Sequence, residues 1–287
     1  MKGAFYWSVR REVWEHRAVW MAPLAVAAFA LLAFLVALSV GHLQKAGNFS
    51  ALSFEKQRQL VMMPFGLAAS MVLLTGFVVA AFYCLDALNA ERRDRSILFW
   101  KSMPVSDLTT VLSKAAIPMV VIPVVAYAVA LATQAILLVV AGIGLRSIGA
   151  DIASLYDRLP VAVMTVSLAY GVAVHALWYA PLFALLLLAS VAVRRPFLWV
   201  VLPAVAVQIL EKIAFGTGYS SEFIKYRLAG AMVEAFKHDA GRAPITQLSQ
   251  LDPARFFTSP GLWLGLLAAA ALLYAATRLR RSKEPLS

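Results

Sequence analysis

The sequence predicts an all-α integral membrane protein with six transmembrane helices, an N-terminal interfacial helix and short outer helices before the last span. Composition is the first reason, because 62% of the 287 residues are apolar, only 14% are charged and the mean hydropathy is +0.78. Soluble domains are ordinarily 45 to 50% apolar and about one quarter charged. The second reason is that the apolar residues form long continuous runs, whereas barrel strands show about ten residues of alternating pattern.

Six stretches lack charged residues almost completely, and each reaches the roughly 20 residues that a helix needs to cross about 30 Å of hydrocarbon. They are residues 19–40, 60–85, 115–145, 161–193, 196–215 and 256–277. We therefore treat residues 1–287 as a single transmembrane domain. The net charge is +11, and the basic residues that cause it lie beside these spans, where they meet anionic lipid. The lipid bilayer is the expected partner, and nucleic acid is not.

The distribution of basic residues predicts that both termini are cytoplasmic, with the chain in the cell (inner) membrane. The two sides of a six-span chain carry 15 and 10 Lys and Arg residues, and cytoplasmic loops carry the excess. The most decisive connection is Arg194-Arg195, which lies between two long apolar runs.

Residues 1–18 mix aromatic and charged side chains. Tyr6, Val9 and Val13 recur at helical spacing, and Trp7 and Trp14 suit the headgroup zone of a membrane. These residues predict a helix lying flat on the inner leaflet. The alternative is an aromatic belt with flanking charges.

The connection 86–114, which the orientation places in the cytoplasm, combines interleaved charges with an apolar run. The charges are Glu91, Arg92, Asp94 and Arg95, and the apolar run is Ile97, Leu98, Phe99 and Trp100. Four large apolar residues in a row do not suit a free surface, so we expect them against the membrane or a partner protein. Ser106 is expected to cap the next helix.

This connection resembles the first cytoplasmic loop of the type-2 family of ABC transporter permeases. The resemblance lies in Glu91-Arg92-Arg93-Asp94-Arg95-Ser96-Ile97-Leu98, followed by Met103-Pro104-Val105-Ser106 and Lys114. Arg95-Ser96 stands where members of the family usually have Gly-Thr. Two further stretches are similar to one subgroup: Leu177-Trp178-Tyr179-Ala180-Pro181 and Arg194-Arg195-Pro196-Phe197-Leu198-Trp199.

The resemblance implies a type V exporter-like fold and a cytoplasmic coupling helix within 86–114 that docks on an ABC-type ATP-binding subunit. It also implies a second permease copy or a paralogue. On this hypothesis Glu91, Arg92, Asp94 and Arg95 form the charged rim of the docking surface, and the apolar run from Ile97 to Trp100 supplies its anchors. The alternative is a helix lying flat on lipid.

The chain is not predicted to be an enzyme, because no segment fits the P-loop pattern G-x-x-x-x-G-K-[ST]. ATP and Mg²⁺ would be bound by the partner ATPase, and no cofactor or metal is expected in this chain. The single cysteine, Cys84, excludes an intrachain disulfide.

Polar residues inside the spans are candidates for a translocation path or gate, because such residues usually face the bundle or a water-filled route. They are Gln134, Tyr170, His175, Gln208 and Glu211. Glu211 has a simpler alternative, which is pairing with Lys212 or reaching toward the interface. Residues 216–255 are expected to lie outside the membrane and to contain short helices.

The alternative function is an ion-coupled secondary transporter. Such carriers usually hold an ion or proton on a carboxylate near the membrane midplane. The predicted spans offer no such carboxylate. A membrane enzyme is a third possibility, without a catalytic constellation to support it.

Overall fold

The computed structural model describes residues 2–39, 53–93, 105–147, 159–237 and 245–282, and within these ranges it is helical with no strand. Six helices are long and apolar enough to cross a membrane. The all-α prediction with six candidate spans is therefore confirmed for the described part of the chain.

The helices are numbered here in chain order. They are α1 (Lys2–Glu15), α2 (Ala18–Ser39), α3 (Phe54–Asp86), α4 (Asn89–Arg93), α5 (Asp107–Ala116), α6 (Ile122–Ser147), α7 (Val161–Trp178), α8 (Ala180–Ala192), α9 (Pro196–Phe215), α10 (Tyr219–Ala235), α11 (Pro253–Thr258) and α12 (Pro260–Ser282). A π-helical turn (Ile117–Val121) joins α5 to α6, and a 3-10 turn (Leu248–Gln250) precedes α11.

Several helices extend beyond the predicted spans. The second candidate span, Phe54–Arg93, comprises α3 and α4 with a turn between them. The third, Asp107–Gly144, comprises α5, the π-helical turn and most of α6. Ser106 caps the third, with its Oγ accepting from the Thr109 amide at 3.1 Å, as predicted. The last span begins at Pro260 instead of residue 256, since Pro260 suits the first turn of a helix.

The predicted fourth span, 161–193, is divided into α7 and α8 by a one-residue break at Tyr179. Pro181 has no backbone N–H and so removes one helical hydrogen bond at this point. The chain still continues through the break, because the Tyr179 amide donates to the His175 carbonyl at 3.1 Å and the Phe183 amide donates to the Tyr179 carbonyl at 3.0 Å.

Helices α2, α3 and α6 are in mutual contact, α8 packs against α12, and α8 also packs on α3. Helix α1 lies across α5. Helix α9 is peripheral, since no residue of its 18-residue apolar window is buried.

Contacts among the described helices identify two ends of the bundle. Helix α1, the α4 and α5 region and the end of α12 meet at one end, which we call the α1 end. At the opposite end, Arg58 Nη2 near the start of α3 donates to the Thr246 carbonyl at 3.2 Å.

Candidate functional site

Six charged side chains of alternating sign form a continuous series at the α1 end. In order of contact they are Arg11, Glu12, Lys114, Glu91, Arg280 and Asp107, and we call this series the ion chain. It joins α1, α5, α4 and α12, which are distant in sequence. Its formal charges sum to zero.

Lys114 lies at the centre of the ion chain. Its Nζ is 2.9 Å from Glu12 Oε1 and 3.2 Å from Glu91 Oε1. Arg280 continues the series, with Nη2 at 3.0 Å from Glu91 Oε2 and Nη1 paired with Asp107. One lysine and one arginine therefore hold three carboxylates from three different helices.

Burial makes the ion chain energetically important. The side-chain exposure is 0% for Glu12, 3% for Lys114 and 2% for Arg280. Replacing a whole buried ion pair by apolar residues is often neutral, but removing one partner typically costs about 3–5 kcal/mol, because the other charge stays buried. Each member thus depends on its neighbours.

Glu12 has both carboxylate oxygens occupied. Its Oε1 accepts from Arg11 as well as Lys114, and its Oε2 accepts from the Tyr83 hydroxyl at 2.7 Å. Burial alone raises the pKa of a carboxyl group, but the Lys114 ammonium and these hydrogen bonds outweigh burial and lower the pKa of Glu12 to about 2. The side chain is a carboxylate at neutral pH.

The local sequence explains how Glu12 reaches this position. Val9 and Val13 lie three residues before and one residue after it, and both pack on the core. Helical spacing therefore carries Glu12 on the apolar, inward face of α1. The signal that could have identified it is a carboxylate within an apolar stripe, and the sequence reasoning missed it together with Lys114 and Arg280.

The structure corrects the predicted location of Glu91 and Arg92. We expected both at the exposed rim of a partner surface, but each is only 6% exposed. Glu91 pairs with Lys114 and Arg280, and Arg92 Nη1 donates to the Val191 carbonyl at 2.9 Å. The reason is that α4 begins inside the bundle.

Helix α4 is fixed at its start as well. The amides of Leu88 and Asn89 both donate to Ser190 Oγ, at 3.0 and 2.9 Å, so α4 is attached to the end of α8. The other predicted coupling residues lie outside the described residues: Asp94, Arg95, Ile97, Leu98, Phe99 and Trp100.

Four of the predicted path residues do not meet at one site. His175 lines a small cavity beside the π-helical turn and packs on Phe77 and Tyr179, with ring centroids 5.4 and 4.6 Å away. Tyr170 contacts Phe236 on another side of α7. Gln134 lies half-buried on α6, and Gln208 donates to a carbonyl of its own helix, that of Ala204, at 3.1 Å.

Glu211 belongs to a helix cap. Its carboxylate accepts from the Thr217 hydroxyl at 2.8 Å, from the Tyr219 amide, and from the amide and hydroxyl of Ser220. Gly216 permits this arrangement, because the chain turns there with φ of 64°. The carboxylate compensates the free amides at the start of α10. Among the described residues, Glu211 is bonded to this cap and forms no ion pair with Lys212.

A second cluster, separate from the ion chain, joins α10 to the break between α7 and α8. The Arg227 guanidinium donates to the carbonyls of Trp178 and Gly261 and lies 4.7 Å from the centroid of the Trp178 ring. In return, Trp178 Nε1 donates to the Arg227 carbonyl at 2.9 Å. Tyr179 also attaches α10, since its hydroxyl donates to the Leu228 carbonyl.

Any side chain at position 265 would have to displace the Arg227 guanidinium. A Cβ atom added at Gly265 would lie 2.9 Å from the Arg227 guanidinium carbon, well inside normal contact distance. The guanidinium therefore occupies space that any other residue at position 265 would fill. The sequence reasoning missed Arg227, which carries no local signal apart from its place on a helix.

Within the described ranges, no group of three or more His, Cys, Asp or Glu side chains is arranged to hold a metal ion. Comparisons with family models, with curated proteins and with solved structures find no match to this chain.

Proposed function

We propose that the chain is the membrane-spanning permease subunit of an ATP-driven ABC exporter. In this proposal it forms the translocation path with a second permease copy or a paralogue, and a separate ATPase subunit drives it. Two features support the proposal: the resemblance carried by the connection 86–114, and the way the ion chain is built around that connection.

The ion chain holds the connection on both sides of residues 94–104. Glu91 precedes this segment by three residues and Asp107 follows it by three, and Arg280 pairs with both. Lys114 extends the same contact to Glu12 on α1. A force that the ATPase applies to the connection 86–114 would therefore act on α1, α5 and α12 together. An ATPase needs such a rigid contact to move transmembrane helices.

The alternative is an ion-coupled secondary transporter, which gains little support. The carboxylates of the six candidate spans lie at or near helix ends: Glu55, Asp86, Glu91, Asp107 and Glu211. Glu211 is committed to the cap of α10, and Glu91 and Asp107 belong to the ion chain. None of them lies where a carrier would bind its coupling ion.

The test is capture of a separate ABC-type ATPase subunit that carries a P-loop, and any such ATPase encoded beside this chain is the first candidate to try. Truncating a central aromatic anchor of an interface costs about 2 kcal/mol or more, which is roughly thirtyfold in affinity. We expect Phe99→Ala or Trp100→Ala to weaken capture by about this factor and to lower transport-linked ATP hydrolysis. Neither residue belongs to a predicted span, so membrane insertion should be retained.

The matched control is Lys283→Ala, in the tail beyond α12, which should leave capture and hydrolysis at the parental level. If both aromatic variants capture the ATPase and transport at the parental rate, the coupling proposal fails. Substrate movement that follows an imposed ion gradient and ignores ATP would instead establish the secondary transporter.

A further inference from the structure

The outward face of α1 presents two exposed tryptophans with an arginine between them. Trp7 is 61% exposed and Trp14 is 69% exposed, although indole rings are normally covered in folded proteins. The guanidinium carbon of Arg10 lies 5.1 Å from the Trp7 ring centroid and 5.3 Å from the Trp14 ring centroid. Both rings therefore hold the guanidinium by cation–π contact.

This face carries positive charge without a neutralising partner. Arg10 and Arg17 are exposed and form no ion pair with any residue in the described ranges. Among the acidic residues of the same helix, Glu12 is turned inward into the ion chain, and Glu15 lies 3.4 Å from Arg11. Trp7, Arg10 and Trp14 are three or four residues apart in α1, so they follow one side of this helix, and Arg17 lies in the turn that joins α1 to α2.

We propose that Trp7, Arg10, Trp14 and Arg17 bind the phosphate of an anionic phospholipid in the adjacent membrane leaflet. Tryptophan favours the headgroup zone, and the planar guanidinium matches the geometry of a phosphate. The Trp7 and Trp14 rings keep the Arg10 guanidinium ordered before binding, which reduces the entropic cost of binding a headgroup. The occupant is lipid because α2, which starts at Ala18 directly after this face, is a candidate membrane span.

Lipid binding to the outward face of α1 should affect the ion chain, since the opposite face of the same helix contributes to that series. The outward face would bind the headgroup while the inward face carries Glu12, which is bonded to Lys114 and Tyr83. A ligand that binds only the docked position of α1 stabilises that position by mass action. Anionic lipid should therefore strengthen the attachment of α1 to the ion chain.

The experiment titrates phosphatidylglycerol into the detergent-purified chain and follows bound lipid by native mass spectrometry and the thermal midpoint. The parent should bind phosphatidylglycerol and rise in midpoint, whereas phosphatidylcholine should produce no rise. Arg10→Gln should weaken binding at least tenfold and abolish the rise. Without lipid its midpoint should equal the parental value, because Arg10 is exposed, and this separates lost binding from misfolding.

Arg278→Gln is the matched control, since Arg278 is also exposed and lies 5.9 Å from the centroid of one ring, that of Tyr274. Its lipid response should remain parental. An equal loss in both variants would show a general effect of charge and overturn the site. A rise produced by inorganic phosphate alone would overturn the lipid assignment, as would an equal rise with phosphatidylcholine.

Discussion

At the scale of single residues, Glu12 determines how α1 is held. The carboxylate has 0% exposure and accepts hydrogen bonds from three side chains, those of Arg11, Lys114 and Tyr83. An isolated charge in such a place would be neutralised by a change in its pKa. The surrounding donors instead keep it ionised, so its contribution to stability depends on pH.

We expect the thermal midpoint of the purified chain to fall as the pH falls from about 4.5 toward 2. The pKa of Glu12 is lowered from 4.5 to about 2 in the folded state, so its contribution is present above pH 4.5 and is lost as the carboxylate is protonated. This difference in pKa corresponds to about 3 kcal/mol. Glu12→Gln should lower the midpoint at pH 7 by several degrees and remove this part of the pH dependence.

Glu15→Gln is the control for that measurement, because Glu15 is 53% exposed and makes only a surface pair with Arg11. It should retain the parental pH profile. A Glu12→Gln variant with parental stability at neutral pH would contradict the importance of the buried pair.

Residue-level prediction succeeded where the signal is local. Ser106 is a serine directly before an acidic first turn, and a cap depends only on the next few residues. The partners of Glu91 could not be predicted in the same way. Arg280 is 189 positions away, and the two side chains meet only because the folded chain packs α12 against α8 and α5.

At the scale of helices, α10 is attached by polar contacts to carbonyls at the break between α7 and α8. Position 265 tests this attachment. Gly265→Ala should displace the Arg227 guanidinium and cost it hydrogen bonds to Trp178 and Gly261. We expect faster amide hydrogen exchange over Tyr219–Ala235, while the exchange of α3 stays unchanged.

Gly66→Ala serves as the control, because no atom lies within 4 Å of a Cβ added there. An alanine inside a helix is otherwise favourable relative to glycine, so this variant should be neutral or slightly stabilising. Unchanged exchange in α10 of Gly265→Ala would show that Arg227 does not hold the helix.

The number of candidate membrane spans was predictable, because continuous apolar runs identify such spans by length alone. The ends of the helices were less predictable. An apolar run ends at the first charged residue, whereas a helix ends at a cap or a proline. The break at Tyr179 shows this difference. Pro181 was visible in the sequence, but proline can also remain within a helix, as Pro64 does in α3.

At the scale of the whole molecule, the orientation with both termini in the cytoplasm is a prediction that rests on the excess of basic residues at the α1 end. We expect single cysteines replacing Lys101 or Arg194 to react with a membrane-impermeant maleimide only from the cytoplasm, and His238→Cys only from outside. Cys84 is fully buried and should give little background. Labelling of position 238 from the cytoplasm would overturn the six-span topology.

The ion chain also has a consequence for the order of biosynthesis. Translation supplies Glu12, Glu91, Asp107 and Lys114 long before Arg280, so a nascent chain holds three of these carboxylates while the cation that joins two of them is still missing. Only insertion of the last helix completes the electrostatic balance. We therefore expect a ribosome-released fragment that ends before α12 to keep its earlier spans but to expose Glu91 and Asp107 to quality-control proteases. The ion chain is complete only after Arg280 has been synthesised.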